Sequence, residues 1–174
     1  MSELRLEDVT KYAGGRTRAG IALLLVERVI ERLTPPAMVE VEAIARPCWS
    51  WVEGAEVPPE PSYERYGSFV ENHLLVPVAS KEMVDTLNLV SEGLHAALWE
   101  MYHLGERHID RFPSDMVEDA EPPVTNLEQL AHDADAVDAS FRAGLHALRE
   151  RAIADDAPIS AHVLRALFRG GRAS

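Results

Sequence analysis

Apolar positions along this chain recur at intervals of three and four over most of its length, the spacing that gathers side chains on one face of an α-helix. A first helix is expected from Glu3 to Ala13, ending at Gly14-Gly15, where glycine accepts the left-handed backbone that stops helices. A second runs from Arg16 to Leu33, before Thr34-Pro35-Pro36. Its apolar residues, from Ile21 through Leu25 and Val29 to Leu33, cover well over half the circumference and predict a central, largely buried helix.

The next segment reads two ways. In AMVEVEAIARP, Val39, Val41 and Ala43 alternate with Glu40 and Glu42, as in a short extended segment over residues 38–46. The same residues also open a helix that Pro47 interrupts, and helix is preferred because a lone strand has no pairing partner elsewhere. After the connection EGAEVPPEPS, a short helix is expected from Ser62 to about Val70. Ser80 then has the chemistry of an N-cap, and apolar residues from Met83 to Ile109 keep helical spacing until Pro113. Beyond the acidic loop SDMVEDAEPPVTN, Leu127, Leu130, Ala134, Val137, Phe141, Leu145, Leu148 and Ala152 step by three and four, predicting one continuous amphipathic helix. A last helix, Pro158 to Phe168, has proline in its first turn and glycines after its end. The expected fold is all-α or mainly α, a single-domain bundle of about five or six helices spanning residues 1–174.

Composition narrows the function. With 174 residues and 47% apolar content, the chain can build one core without staples. The single cysteine, Cys48, excludes an internal disulfide and a four-cysteine zinc site. MSELRLEDVTKYAGG is no basic, apolar leader, and the longest apolar run, Gly20 to Val26, is too short to cross a bilayer, so a cytoplasmic protein without membrane association is expected. The balance of 29 acidic against 17 basic residues, a formal net charge of −12, repels phosphate backbones and disfavours nucleic acid. From Asp115 to Asp138 there are eight acidic residues and no Lys or Arg.

Candidate chemistry concentrates in EGLHAALWEMYHLGERH, residues 92–108, which holds Glu-x-x-His at Glu92/His95 and again at Glu100/His103. On a helix turning about 100 degrees per residue, Glu92, His95, Trp99, His103 and Glu106 share an arc of roughly 80 degrees, opposite the Leu87, Leu94 and Leu98 stripe. Di-iron carboxylate bundles take one Glu-x-x-His from each of two helices, pointing into the core. Here both motifs sit on one helix and point away from its stripe, so the resemblance stops at the four-residue pattern. Glu92, His95, Glu100, His103 and Glu106 remain candidate metal ligands, two at a time, and no cofactor is expected. Trp99 on that face would expose a large apolar area unless another helix, a partner or a second copy of the chain covers it.

Elsewhere, Cys48 is expected to be a buried, inert thiol beside Trp49 and Trp51, which diverge if the segment is helical. GGRTRAG at Gly14–Gly20 matches no phosphate-binding fingerprint and reads as a turn with exposed arginines. No nucleophile elbow, zincin, EF-hand or kinase signature is present. The leading expectation is an interaction protein of the inhibitor or immunity type that covers a basic surface of a protein partner. Its candidate contacts are Asp115, Glu118, Asp119 and Glu121, with Trp99, His95 and Glu106 as a second patch. The alternative is a helical-bundle enzyme or a ligand- or metal-binding protein using the His and Glu residues of 92–108.

Overall fold

The computed structural model describes residues 4–11, 13–78, 80–104, 124–151 and 157–169. Within them lie eight α-helices: α1 (Leu6–Thr10), α2 (Gly15–Val29), α3 (Pro35–Val52), α4 (Glu60–Phe69), α5 (Lys81–Leu104), α6 (Val124–Asp133), α7 (Ala139–Glu150) and α8 (Ala161–Phe168). A 3-10 turn at Ile30–Arg32 extends α2 and a π-turn at Val70–Leu74 extends α4; no strand occurs among the described residues. The all-α expectation holds, with more and shorter helices than the apolar spacing alone implies.

The bundle is organised around α2 and α5. As expected for a helix apolar on most faces, Ile21 through Val26 are all 5% exposed or less. Gly15 faces Glu100 and Leu104 while Gly93 faces Ala22 and Val26, so the two helices run antiparallel. They cross closely: a Cβ on Gly93 would stand 2.6 Å from Val26 Cγ2 and 3.2 Å from the Ala22 carbonyl oxygen. The buried apolar residues of all eight helices join one cluster around this pair.

Residues 38–46 are not extended. They belong to α3, whose buried residues Ala37, Val41, Ile44, Cys48, Trp51 and Val52 keep the helical interval, while Val39 is 61% exposed. Pro47 sits inside this helix. It has no N–H to offer the Ala43 carbonyl, and Arg65 of α4 donates to that oxygen at 3.4 Å instead.

The continuous helix expected after the acidic loop is two helices. The chain leaves helical geometry after Asp133, Asp135 takes a left-handed φ of 50°, and Asp138 caps α7 by accepting from the Phe141 N–H at 2.8 Å. The even spacing survives the break because Leu127 and Ala131 before it, and Phe141, Leu145 and Leu148 after it, face the same core. Two shorter corrections concern helix ends. The first helix covers Leu6–Thr10 only, and the last begins at Ala161, with Glu53 Oε1 of the α3 terminus accepting from the Ala161 N–H at 2.9 Å. No described helix is long and apolar enough to cross a membrane.

Candidate functional site

The α5 face that carries both Glu-x-x-His pairs is not a solvent face. Trp99 is 6% exposed and Glu100 2%, and Leu89 and Ala96, which lie on the same side of the helix, are 0% and 2%. The chain itself therefore covers Trp99, which leaves it too little area to anchor a partner. Of the alternatives for Trp99, cover by other helices of the same chain is the one found, and a second interval, Leu89, Gly93, Ala96 and Glu100, with small residues at Gly93 and Ala96, lies on that side of the helix.

Within this setting the candidate ligands are dispersed. Glu92 is half-buried and lines a 340 Å³ cleft with Asn88, Ser91, Asn126 and Gln129. His95 lies one turn on, with its ring stacked on Tyr66 of α4 at 6.0 Å, while the Tyr66 hydroxyl and Ser91 Oγ are hydrogen-bonded at 3.0 Å. His103 stacks on the indole of Trp99 at 3.5 Å, and its Nδ1–H donates to the Trp99 carbonyl oxygen at 2.7 Å, which fixes the ring along its own helix. Glu100 points the other way, into the α2–α5 contact. Glu106, like Asp115, Glu118, Asp119 and Glu121, lies outside the described residues. Among the described residues no three His, Cys, Asp or Glu side chains are grouped to hold a metal ion.

Glu100 is the residue whose role the linear motif hides. Both its oxygens meet the Arg18 guanidinium, at 2.5 Å from Nε and 2.9 Å from Nη2, and Arg18 Nη1 also donates to the Ala13 carbonyl at 2.7 Å. A nearly fully buried carboxylate is tolerated because a planar, bidentate cation matches it. GGRTRAG is no turn but the start of α2, and its arginines are not exposed: Arg18 enters this pair, and Arg16 donates to the Trp51 carbonyl and lies over the Trp51 ring.

The same inward use recurs. Arg28 donates to the carbonyl oxygens of Ala136 and Phe168 at 3.2 and 3.0 Å and to Ser140 Oγ at 2.8 Å, tying α2 to α7 and α8. Arg32 donates to the Ala134 carbonyl at the α6–α7 turn. Arg165 of α8 forks onto Glu27 of α2, with its shortest bond 2.6 Å, and covers the Trp49 ring. Trp49 and Trp51, both buried, thus diverge to meet arginines of different helices. Cys48 is fully buried; burial pushes its thiol up to about 12, partly offset by a hydrogen bond from its own backbone N–H, and the thiol donates to the Ile44 carbonyl, so it holds almost no thiolate at neutral pH.

Several carboxylates gather at one place on the surface. Glu82, Asp85, Asp133 and Asp135 line a 520 Å³ groove between the start of α5 and the end of α6, with Lys81 and Arg32 beside them. Lys81 pairs with Asp85 at 2.6 Å, and that hydrogen bond raises the lysine's affinity for its proton. No family model, curated protein or solved structure matches the chain.

Proposed function

We propose that this chain is a small cytoplasmic interaction protein that covers a basic site on a protein partner, as an inhibitor or immunity protein does. The observation that carries the reading is the acidic excess of the chain, with Glu82, Asp85, Asp133 and Asp135 brought together at one groove. Five arginines, Arg16, Arg18, Arg28, Arg32 and Arg165, are recessed and bonded to carbonyls or carboxylates of the fold; Arg46, Arg65, Arg149 and Arg169 are exposed, as are Glu31, Glu42, Glu56, Glu64, Glu71 and Glu82. A net charge of −12 gives an approaching molecule a negative field to meet. Carboxylates can also occupy a site built for phosphate, which suits a nuclease or another enzyme with a cationic cleft. Asp115, Glu118, Asp119 and Glu121, outside the described residues, add to the same net charge.

The test is affinity capture from native extract using the wild-type chain, a groove variant carrying Glu82→Lys and Asp133→Lys, and a loop variant carrying Glu118→Lys and Asp119→Lys. A discrete basic protein should be retained by the wild type and lost from at least one variant. Retention should also fall steeply with added salt, because the screening length drops from about 8 Å at physiological ionic strength to about 3 Å at 1 M. Partner retention indifferent to both reversals and to salt would sink the proposal.

A further inference from the structure

The groove that holds Glu82, Asp85, Asp133 and Asp135 continues into the cleft that holds Asn88, Ser91 and Glu92. On α5 the two are joined by position, because Asp85 and Asn88 stand one turn apart on the helix surface. On α6 they are joined by a bond: Gln129, on the cleft, donates from Nε2 to Asp133 Oδ1, on the groove, at 2.8 Å. The volumes of 520 and 340 Å³ therefore form one channel along the α5–α6 seam. Leu130 of α6 and Leu74 at the end of the π-turn give its cleft end apolar walls.

Three kinds of group are presented along this channel. Carboxylates dominate the groove end, where the two cations are already committed, Lys81 to Asp85 and Arg32 to the Ala134 carbonyl. In the cleft, the exposed carboxamides of Asn88 and Asn126 and the half-buried carboxylate of Glu92 make no hydrogen bond or ion pair with any described residue. Apolar side chains border it as well. Leu75 and Val76 follow Leu74 directly, and Val84 stands one turn before Asn88 on α5; all three are exposed, Leu75 at 74%. Exposed apolar side chains beside an open channel with a polar rim mark an interaction surface.

We infer that this channel binds an extended, basic segment of the protein partner, with a Lys or Arg at the carboxylate end, main chain on the carboxamides of Asn88 and Asn126, and an apolar side chain between Leu74 and Leu130. It rests on the partner reading proposed above and names the part of the partner that docks. Charge complementarity selects a cationic occupant. A carboxamide offers a donor and an acceptor together, as extended main chain requires, whereas a helical segment has spent its main-chain groups on its own bonds. From Asp85 to Glu92 the helix rises about 10 Å, the span of about three extended residues, which places the apolar residue two or three positions from the cation. A second copy of this chain would bring the same acidic charge. A polyamine would answer the carboxylates but leave the carboxamides and leucines unused.

The experiment is an NMR titration of the full chain with the capped peptide acetyl-Lys-Arg-Ala-Leu-Ala-amide, which is too short to form a helix. Saturable shifts are expected at the amides of 81–92 and 126–135 below about 1 mM. Three changes to the peptide should each weaken binding about tenfold or more: methylating its Ala and Leu nitrogens, replacing Leu by Ser, and replacing Lys and Arg by norleucine and citrulline. Asn88→Ala with Asn126→Ala should remove the discrimination against the N-methylated form. Absence of saturable shifts, equal affinity for the N-methylated peptide, spermidine binding as tightly as the peptide, or concentration-dependent shifts at the same amides without peptide overturns the inference. The peptide series on the wild-type chain decides the matter even if the variant fails to fold. Capture from native extract reads the partner proposal separately: a basic protein retained there without peptide binding here overturns the channel alone, and no retained protein overturns the partner reading.

Discussion

Two single residues test how charge is held here. Glu100 has lost nearly all its water and has Arg18 in exchange, so removing Arg18 takes from a buried carboxylate the cation that offsets its burial. Arg18→Ala should cost about 3–5 kcal/mol in denaturant unfolding, and the double change Arg18→Met with Glu100→Leu should cost much less. Equal losses from the single and double changes would show that packing, not charge, dominates. Asp138 behaves differently. Its partial burial works against ionisation, but bonds from Ser140, the Phe141 N–H and Arg28 outweigh it and hold the carboxyl down at about 2 from an ordinary 3.8. A depressed folded-state value contributes stability above the unfolded value, and that contribution is lost as pH falls through the folded one. Asp138→Ala should therefore destabilise by about 1 kcal/mol at pH 7. The deficit should narrow between about pH 4 and pH 2 in urea melts across that window.

At the scale of the element, α2 and α5 approach as closely as they do because small residues face each other. A side chain at Gly93 meets the Ala22 carbonyl, which is backbone and cannot rotate away. Gly93→Val should lower stability by about 1–3 kcal/mol in thermal or chemical melts. Gly67→Ala on α4, where nothing lies within 4 Å, should be neutral or gain up to about 1 kcal/mol. Matching losses at the two glycines would mean that helix crossing is not what Gly93 serves. Elements here are also completed by other elements: α3 keeps its course through Pro47 because α4 supplies a donor, and α8 starts on a carboxylate from the end of α3.

For the whole molecule, the inward arginines give a physical meaning to the scarcity of lysine, two residues against 15 arginines. A guanidinium can bind two carbonyls or a carboxylate at once while its plane lies on an aromatic ring; an ammonium cannot. Arg28 and Arg165 each bridge separate helices in this way and also lie over Phe141 and Trp49. Recessed arginines thereby hold helices together, while the proposed partner reading rests on the acidic excess of the chain as a whole.

What the sequence determined by itself is whatever depends on local periodicity and on sums. The helical class, the central position of α2, the N-cap at Ser80 and the acidic field all follow from spacing, side-chain chemistry and counting. What only the tertiary structure decided depends on which elements meet. The wheel of residues 92–108 put Trp99 opposite the main apolar stripe, but α5 is enclosed on more than one side, so that position is interior. The pattern Glu-x-x-His grouped Glu100 with His103, whereas a bond to an arginine 82 positions earlier turned Glu100 away. The break between α6 and α7 was equally hidden, because residues on both sides of it face one core and keep the apolar spacing intact. Periodicity records which side of a helix is wet only when a single neighbour dries it; where several do, the contacts themselves settle the matter.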